Sequence, residues 1–301
     1  MNILVTGATG LIGKELVQLL LENGHTIHYL TTSKNKIQDK PNYFGYYWNS
    51  EKGILDENSL IGVDVIVHLA GANIAKRWTN AYKQEIIESR TLSSELLFNA
   101  LKKNPHQVKQ IVSASGTAIY PESHSKIYDE TTTEKDDSFL ANVVLKWEES
   151  VDRFQALDIK VCKLRTGVVL AKNGGALPEM AKPIKMGFGA AMGNGKQIQS
   201  WIHISDLVAI YHFVIQNQFE GVFNAVSPHP ISNAGLTKAI SKALHKPLFL
   251  PNIPEFVMKI ILGEMSVLLF SSKNLSANKI RQRGFKFQFP EIRQALNDLY
   301  Q

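Results

Sequence analysis

Short apolar runs alternate with amphipathic stretches through the first two-thirds of the chain. Ile3-Leu4-Val5 is a continuous apolar run of the kind that forms a strand buried on both faces. Behind it Leu11, Ile12, Leu16, Val17, Leu19, Leu20 and Leu21 recur at helical spacing as far as Asn23-Gly24. The same order repeats downstream. Residues 25–31, 43–48, 63–69, 108–113 and 222–225 read as strands, and 160–170 as a strand and its exit. Residues 80–103, 139–157 and 206–216 read as helices, the last with Ser205 as its N-cap. From Pro228 the pattern changes to helices broken by prolines, predicted over 233–244, 254–270, 273–283 and 290–300. Between the last two, Phe285, Phe287 and Phe289 alternate onto one aromatic face, whose expected use is burial against the neighbouring helices.

Strands alternating with helices predict an α/β fold, a doubly wound parallel sheet of Rossmann type, with a smaller, mostly helical C-terminal domain. The expected Rossmann-type domain covers residues 1–172 and 198–227. Residues 173–197 read as a lid, with Asn173-Gly174-Gly175 at its start and Gly187, Gly189, Gly193 and Gly195 further along. Residues 228–301 form the expected C-terminal substrate or partner domain.

Composition narrows the function classes. The chain has 301 residues, 44% of them hydrophobic, enough for one large α/β unit with a smaller partner. Its formal charge is +6, and residues 271–301 carry Lys273, Lys279, Arg281, Arg283, Lys286 and Arg293 against Glu291 and Asp298. A solvated helical face accounts for such a tail, and no nucleic-acid partner is expected. Cys162 is the single cysteine, so no disulfide forms within the chain, and a reducing, cytoplasmic setting is expected. Met1-Asn2 leads straight into a strand, so no signal or transit peptide is expected. The longest apolar stretch, 256–270, is interrupted by Lys259, Gly263 and Glu264 and is too short and too charged to span a bilayer. One cysteine and scattered histidines give no ligand spacing, so no metal is expected.

The chemistry concentrates in the turn between the first strand and the first helix, Thr6-Gly7-Ala8-Thr9-Gly10-Leu11-Ile12-Gly13. Gly7 permits the tight turn, Gly10 lets the backbone approach a pyrophosphate, and Gly13 lets helix and strand pack closely. Backbone N–H groups from Thr9 to Ile12, with the positive end of the helix dipole, would hold the phosphates. Leu69-Ala70-Gly71 ends another strand in small residues, which lets a cofactor pass close over the backbone. At the end of the second strand, Thr32, Ser33 and Lys34 stand where a carboxylate would bind a ribose 2′-OH. Hydroxyls and an ammonium there favour a 2′-phosphate, hence NADP, with NAD as the alternative.

TGATGLIG, with its G-x-x-G-x-x-G spacing, resembles the fingerprint of the short-chain dehydrogenase/reductase superfamily, and most of all its extended, NAD-dependent epimerase/dehydratase-like branch. The run HLAGANIAKRWT, with Glu85, Ser89 and Arg90 beyond it, is similar to a narrower "epimerase family protein" group that carries a C-terminal domain of unknown role. Within that run Arg77 and Trp78 fit a phosphate or substrate contact and a plain surface role equally well. The resemblance implies that Ser115 bonds the reacting substrate oxygen, with Ser113 close by and Tyr120 downstream. It also implies that Arg165 and Gly167 end the sixth strand against cofactor and substrate. His203, in Ser200–Asp206, either borders the pocket or orders the loop through Asp206 or the backbone.

One part of the family pattern is missing. Short-chain dehydrogenases use Tyr-x-x-x-Lys on one helical face, where the ammonium lowers the tyrosine's pKa for proton transfer. None of the nine tyrosines has a lysine four residues later, and on the helix expected to carry the pair Lys146 is preceded four residues earlier by Asn142. Lys146 is then left with a cofactor-ribose role, and Tyr120, Tyr128 or the substrate would supply the proton. Two functions follow. One is an NADP(H)-binding oxidoreductase or epimerase-like protein acting on a small polar or sugar-like substrate. The other is a catalytically weak or inactive NADP(H)-binding sensor that presents its C-terminal domain to a protein partner. The expected ligands are a dinucleotide and a small molecule; a membrane is not among them, and a homodimer stays open.

Overall fold

Ile3, Leu4 and Val5 are fully buried because β1 (Asn2–Thr6) runs through the middle of a parallel sheet covered on both faces. The computed structural model describes residues 1–301. After β1 come α1 (Leu11–Glu22), β2 (Thr26–Thr31), β3 (Tyr43–Asn49), β4 (Val65–His68), α2 (Asn80–Lys103), β5 (Gln110–Gly116), α3 (Phe139–Asp152) and β6 (Lys160–Thr166). The chain continues through β7 (Val168–Ala171), α4 (Ala176–Lys185), β8 (Trp201–His203), α5 (Ile204–Gln216) and β9 (Gly221–Ala225). The main sheet runs in the order β9-β6-β5-β4-β1-β2-β3 with every one of these pairs parallel. The order reverses at β1, so the crevice beyond its C-terminal end, between β1 and β4, is the switch point where such sheets bind ligands. The Rossmann architecture expected from the alternation is the one observed.

The helices that cover the main sheet bury the stripes their sequences predict. Gly13, Leu16, Val17 and Leu20 of α1 fall at i, i+3, i+4 and i+7 and face the sheet, where Leu207, Ile210, Tyr211 and Val214 of α5 join them. On the opposite face Leu97 and Leu101 of α2 pack with Trp147 and Val151 of α3. Thr79 caps α2 by accepting from the Tyr82 N–H at 3.2 Å, and Ser138 caps α3 from Ala141 at 3.3 Å. No helix is long and apolar enough to cross a membrane.

Four elements depart from their expected form. The sixth strand ends at Thr166, and the exit expected after it forms a strand of its own, β7. A Cβ on Gly167 would stand 2.4 Å from the Ser200 carbonyl, and at this glycine the chain leaves the main sheet for a second one, where β7 pairs in parallel with β8. The helix expected over 254–270 stops at Gly263, whose φ of 60° the helix cannot continue; it becomes α7 (Glu255–Leu262), a 3₁₀ turn and α8 (Val267–Phe270). Of the helix expected over 273–283 only α9 (Asn278–Gln282) forms. Finally, α5 is capped by the His203 ring, which accepts from the Ser205 N–H at 3.1 Å, so Ser205 lies inside the helix and not at its cap.

The segment expected as a lid begins with a packed helix: Leu177, Ala181 and Ile184 of α4 are buried in the larger core. Beyond β9, α6 (Asn233–Ala243) and α10 (Ile292–Tyr300) send Leu236, Ile240, Ala295, Leu296 and Leu299 into that same core. By contrast, α7 buries none of its residues. Phe285 packs against Phe213 of α5 and Phe287, so the aromatic face is turned inward. Several charges of the basic tail are occupied within the fold. Lys273 pairs with Asp136 at 3.0 Å, Lys279 donates to the Val222 carbonyl, and Arg283 lies over Phe219.

Candidate functional site

The glycine turn is built as tightly as its spacing implies. Gly7 sits at φ 70°, and the Gly10 N–H closes the turn on the Gly7 carbonyl at 2.9 Å. A Cβ on Gly13 would lie 2.2 Å from that carbonyl oxygen and 2.7 Å from Ala8 Cα, so nothing larger than glycine fits there. α1 starts from Gly10 with no side chain capping it, which leaves the first-turn N–H groups of Leu11 and Ile12 facing out of the helix end. Such a bare, positively polarised end beside a glycine turn suits a pyrophosphate. Gly174 and Gly175, in the turn before α4, lie against the Leu11 side chain, so this segment crosses over the same helix start.

The floor of the crevice is tied to β1 through one hydroxyl. Thr6 Oγ1 accepts from the N–H groups of Leu69 and Ala70, both at 3.0 Å, and donates to His68 Nδ1 at 2.9 Å. With Nδ1 accepting, the neutral ring carries its proton on Nε2, which faces the hydroxyls of Ser93 and Ser94 on α2, each at 3.2 Å. Gly71 lies directly over the Arg90 guanidinium, which stacks on Trp147 and donates to the Ala72 carbonyl at 3.2 Å. Burial pushes the Arg90 guanidinium down to about 10. His68 is thus a structural post under the crevice and not a base within it.

The burial of His68 has a measurable consequence. Desolvation pushes its pKa from 6.5 down to about 4, so the fold holds a neutral ring. The unfolded chain binds the proton more readily, so the contribution of His68 to stability is full above pH 6.5 and is lost as pH falls towards 4. Between pH 6.5 and 4.5 the wild-type protein is expected to lose about 2 kcal/mol more than a His68→Gln variant, read by urea denaturation at each pH. Parallel pH profiles for the two proteins would sink this assignment.

Past the end of β2 the chain carries no carboxylate before Asp39. Thr31 Oγ1 accepts from the Ser33 N–H, Ser33 donates to Asn35 Oδ1, and the Lys34 ammonium lies 5.2 Å from the Tyr47 ring centroid on β3. Thr32 and Lys34 are exposed. The hydroxyls and the ammonium therefore cluster at one strand end, and this donor set fits a 2′-phosphate.

The residues expected to carry acid–base chemistry are not assembled. Ser115 is 5% exposed, and its hydroxyl donates to Glu148 Oε1 at 2.6 Å. Arg165 grips the same carboxylate with two bonds of 2.8 Å and reaches the Tyr120 hydroxyl at 3.0 Å. Tyr120 is 1% exposed and donates to Asn224 Oδ1; burial raises its pKa to about 12, against the pull of Arg165. Burial also pushes Glu148 up, but the bonds and charge of Arg165 outweigh it and hold the carboxyl below its usual range. A proton-donating Tyr120 does not fit this placement, because the hydroxyl is enclosed and occupied on both sides.

Lys146 requires a correction of helical phase. The buried face of α3 carries Ala141, Val144, Glu148 and Val151, and Val144 reaches within 3.0 Å of a Cβ on Gly116. Lys146 stands on the exposed side with Asn142, and no carboxylate pairs with it. The four-residue spacing of Asn142 and Lys146 holds, but the pair faces solvent. One turn before Val144 on the site-facing side is Leu140, so that face has neither tyrosine nor lysine. His203 is likewise structural: it is 1% exposed, caps α5 and stands 3.3 Å from Asp298. Asp206 is engaged elsewhere, accepting from the N–H groups of Gln288 and Phe289.

A cavity of about 750 Å³ opens beyond the C-terminal ends of β4 and β5. Trp78 and Phe139, in edge contact at 5.2 Å, form one wall, while Asn194, Phe270 and the start of α7 close it from the C-terminal side. Glu122 and His124, from the loop after β5, reach its rim. Trp78 thereby joins the site, whereas Arg77 is exposed beside it and outside the lining. Glu122, His124 and the residues of α7 carried no motif in the sequence; they converge only through the fold.

Comparison with known proteins places the chain in a family and matches its fold. The profile of the NAD dependent epimerase/dehydratase family matches residues 3–226, and that of a domain of unknown function, DUF1731, matches residues 253–299. The chain is 33% identical to the epimerase family protein YfhF of Bacillus subtilis, covering 99% of this chain and 98% of that one. A crystal structure of human epimerase family protein SDR39U1 with NADPH superposes with a TM-score of 0.86 at 31% identity, covering 100% of this chain and 99% of the human one. A nucleoside-diphosphate sugar epimerase from Corynebacterium glutamicum has a TM-score of 0.79 at 28% identity, covering 100% of this chain and 58% of that one.

Proposed function

The chain belongs to the NAD dependent epimerase/dehydratase family, and from that premise we propose that it is an NADP(H)-binding oxidoreductase or epimerase-like protein acting on a small polar or sugar-like substrate. The observation that carries the reading is the succession of three features along one sheet edge. The glycine cradle at Gly7, Gly10 and Gly13 leads to the floor at Leu69, Ala70 and Gly71, and then to the cavity walled by Trp78 and Phe139. In the proposed site, the N–H groups from Thr9 to Ile12 hold the pyrophosphate, while Thr32, Ser33 and Lys34 take the 2′-phosphate. The bound dinucleotide would supply hydride transfer. The chain would orient the substrate in the cavity, and Ser115, Glu148, Arg165 and Tyr120 would brace the ends of β5 and β6 beneath it.

Cofactor choice tests the first half of this reading. Lys34→Glu is expected to weaken NADPH binding by about tenfold while NADH binding moves by less than about threefold, because only NADPH places a phosphate beside the new carboxylate. Fluorescence titration of both cofactors measures it, and equal losses would remove the 2′-phosphate assignment. The second half is tested by following NADPH absorbance with a panel of carbonyl substrates. Tight NADPH binding with no turnover on any of them would favour the sensor reading. That second reading has its own support, since the Ser115 and Tyr120 hydroxyls are both bonded within a buried network.

A further inference from the structure

The lining of the cavity carries the wrong charge for the substrate class named for the Corynebacterium relative. Three carboxylates, Glu122, Glu255 and Glu264, face it, and Lys259 is the one ammonium among its lining residues. That ammonium lies 2.9 Å from Glu255. Glu264 pairs with Lys83, which stands just behind the Phe139 ring. Glu122 has no cationic partner. No arginine lines the cavity, and Lys76 and Arg77 are exposed in the preceding loop, outside the lining. The helix start that closes the cavity, at α7, already carries Glu255 in its first turn, which occupies the positive end of that dipole. A diphosphate needs cationic or N–H partners for its two charges. The cavity offers three carboxylates and three aromatic faces against two basic side chains, Lys259 and the His124 ring, whose Nδ1 lies 3.4 Å from the Lys196 carbonyl.

We infer that the cavity admits a neutral or singly cationic molecule with a ring face, held against Trp78, Phe139 and Phe270, and excludes nucleoside diphosphate sugars. This deepens the proposed function and rests on its placing the substrate in this cavity. Aromatic walls attract an ammonium as well as a ring's flat face, and the unpartnered Glu122 adds attraction for positive charge. The reacting group would then be an alcohol or carbonyl on a small amine or an uncharged polyol, without a nucleotide handle.

Three rings of one size and different charge test this: benzylamine, benzyl alcohol and benzoate, with UDP-glucose as a fourth probe. Trp78 is the one tryptophan of the four that is not buried, and its indole N–H donates to the Ile74 carbonyl. Its indole NMR signal, assigned with Trp78→Phe, therefore reads the cavity. At low ionic strength benzylamine is expected to bind about tenfold more tightly than benzoate, with benzyl alcohol between them, and UDP-glucose is expected to leave the signal unmoved. Glu122→Gln combined with Glu255→Gln removes the free carboxylate and releases Lys259. It is expected to bring benzylamine and benzoate within about threefold. Benzoate or UDP-glucose binding as tightly as benzylamine would overturn the inference. So would failure of all three rings to bind, or a preference that survives the double variant. Measuring with and without NADP separates the two readings: absence of NADP saturation counts against the proposed function, while the charge preference is read on the cofactor-free protein.

Discussion

Gly13→Ala is expected to abolish NADPH binding and to destabilise the fold by about 2–3 kcal/mol, the cost of forcing an atom into a packed contact. The added methyl would meet the Gly7 carbonyl oxygen at 2.2 Å, Ala8 Cα at 2.7 Å and Ala8 C at 2.9 Å. All three are backbone atoms of the turn itself, so no side-chain rotation relieves the clash. Either α1 slides away from β1 or the turn opens, and both displace the N–H groups that would face a pyrophosphate in the proposed site. Gly10→Ala provides the contrast. Its one close contact is the Gly7 carbonyl at 3.2 Å, so the methyl fits once that carbonyl gives slightly, and it projects where the dinucleotide would approach. Gly10→Ala should therefore lose most NADPH affinity while its Tm falls by no more than a few degrees; Gly13→Ala should lose both, with a Tm lower by roughly 5–10 °C. Fluorescence titration and thermal unfolding of the two variants decide it. A Gly13→Ala protein that binds NADPH normally would show that the loop is not the cofactor cradle.

The cradle was legible in the sequence because every requirement is local. Ile3 to Val5, the three glycines and the α1 stripe lie within twenty residues, and each fixes the conformation of its neighbours. The same locality made α2 readable from Thr79 to Lys103, where an N-cap begins the apolar stripe. Gly167 was harder. It lies in a strand-like stretch from Val161 to Leu170 whose two halves are paired in different sheets, and periodicity alone does not tell the halves apart. The family resemblance places the strand end there, and the close approach of Ser200, thirty-three residues on, supplies its physical reason.

Lys146 illustrates a different limit. Spacing along a helix says which residues share a face, and Asn142 and Lys146 do share one. It does not say which face meets the site, because that phase is set by the contacts of Val144 with Gly116 and of Glu148 with Arg165. The cavity was beyond local reading altogether. Trp78, Glu122, Asn194 and Glu255 come from four separate segments, two of them in the C-terminal third of the fold or the loop leading to it, and no spacing rule connects them. Tyr120, by contrast, sits in a run that the sequence marks as important, and its importance is structural: its hydroxyl closes a buried network.

Arg165→Met is expected to cost about 3–5 kcal/mol, because it strands the Glu148 carboxylate in a buried site. Glu148 would keep only the Ser115 hydroxyl at 2.6 Å and Lys163 at 3.9 Å, the latter already held by Asp152 at 2.7 Å. The sign of the pH dependence should also reverse. In the wild-type protein Glu148 lies below its ordinary value, so its contribution is present above about pH 4.5 and is lost as pH falls through the lowered folded value. Without Arg165 burial dominates, the folded carboxyl rises above its unfolded value, and stability is lost as pH increases from about 5. The deficit of Arg165→Met relative to wild type is therefore expected to grow between pH 5 and pH 8. Adding Glu148→Met should recover a large part of it, because two apolar side chains leave no unpaired charge. Urea denaturation of the single and double variants across that range measures both effects. A pH-independent deficit below 1 kcal/mol would mean that the pair is incidental to the fold, and Ser115 and Tyr120 would return as candidates for chemistry. A large deficit that the double substitution relieves, with NADPH affinity retained, would place the network beneath the site as its support.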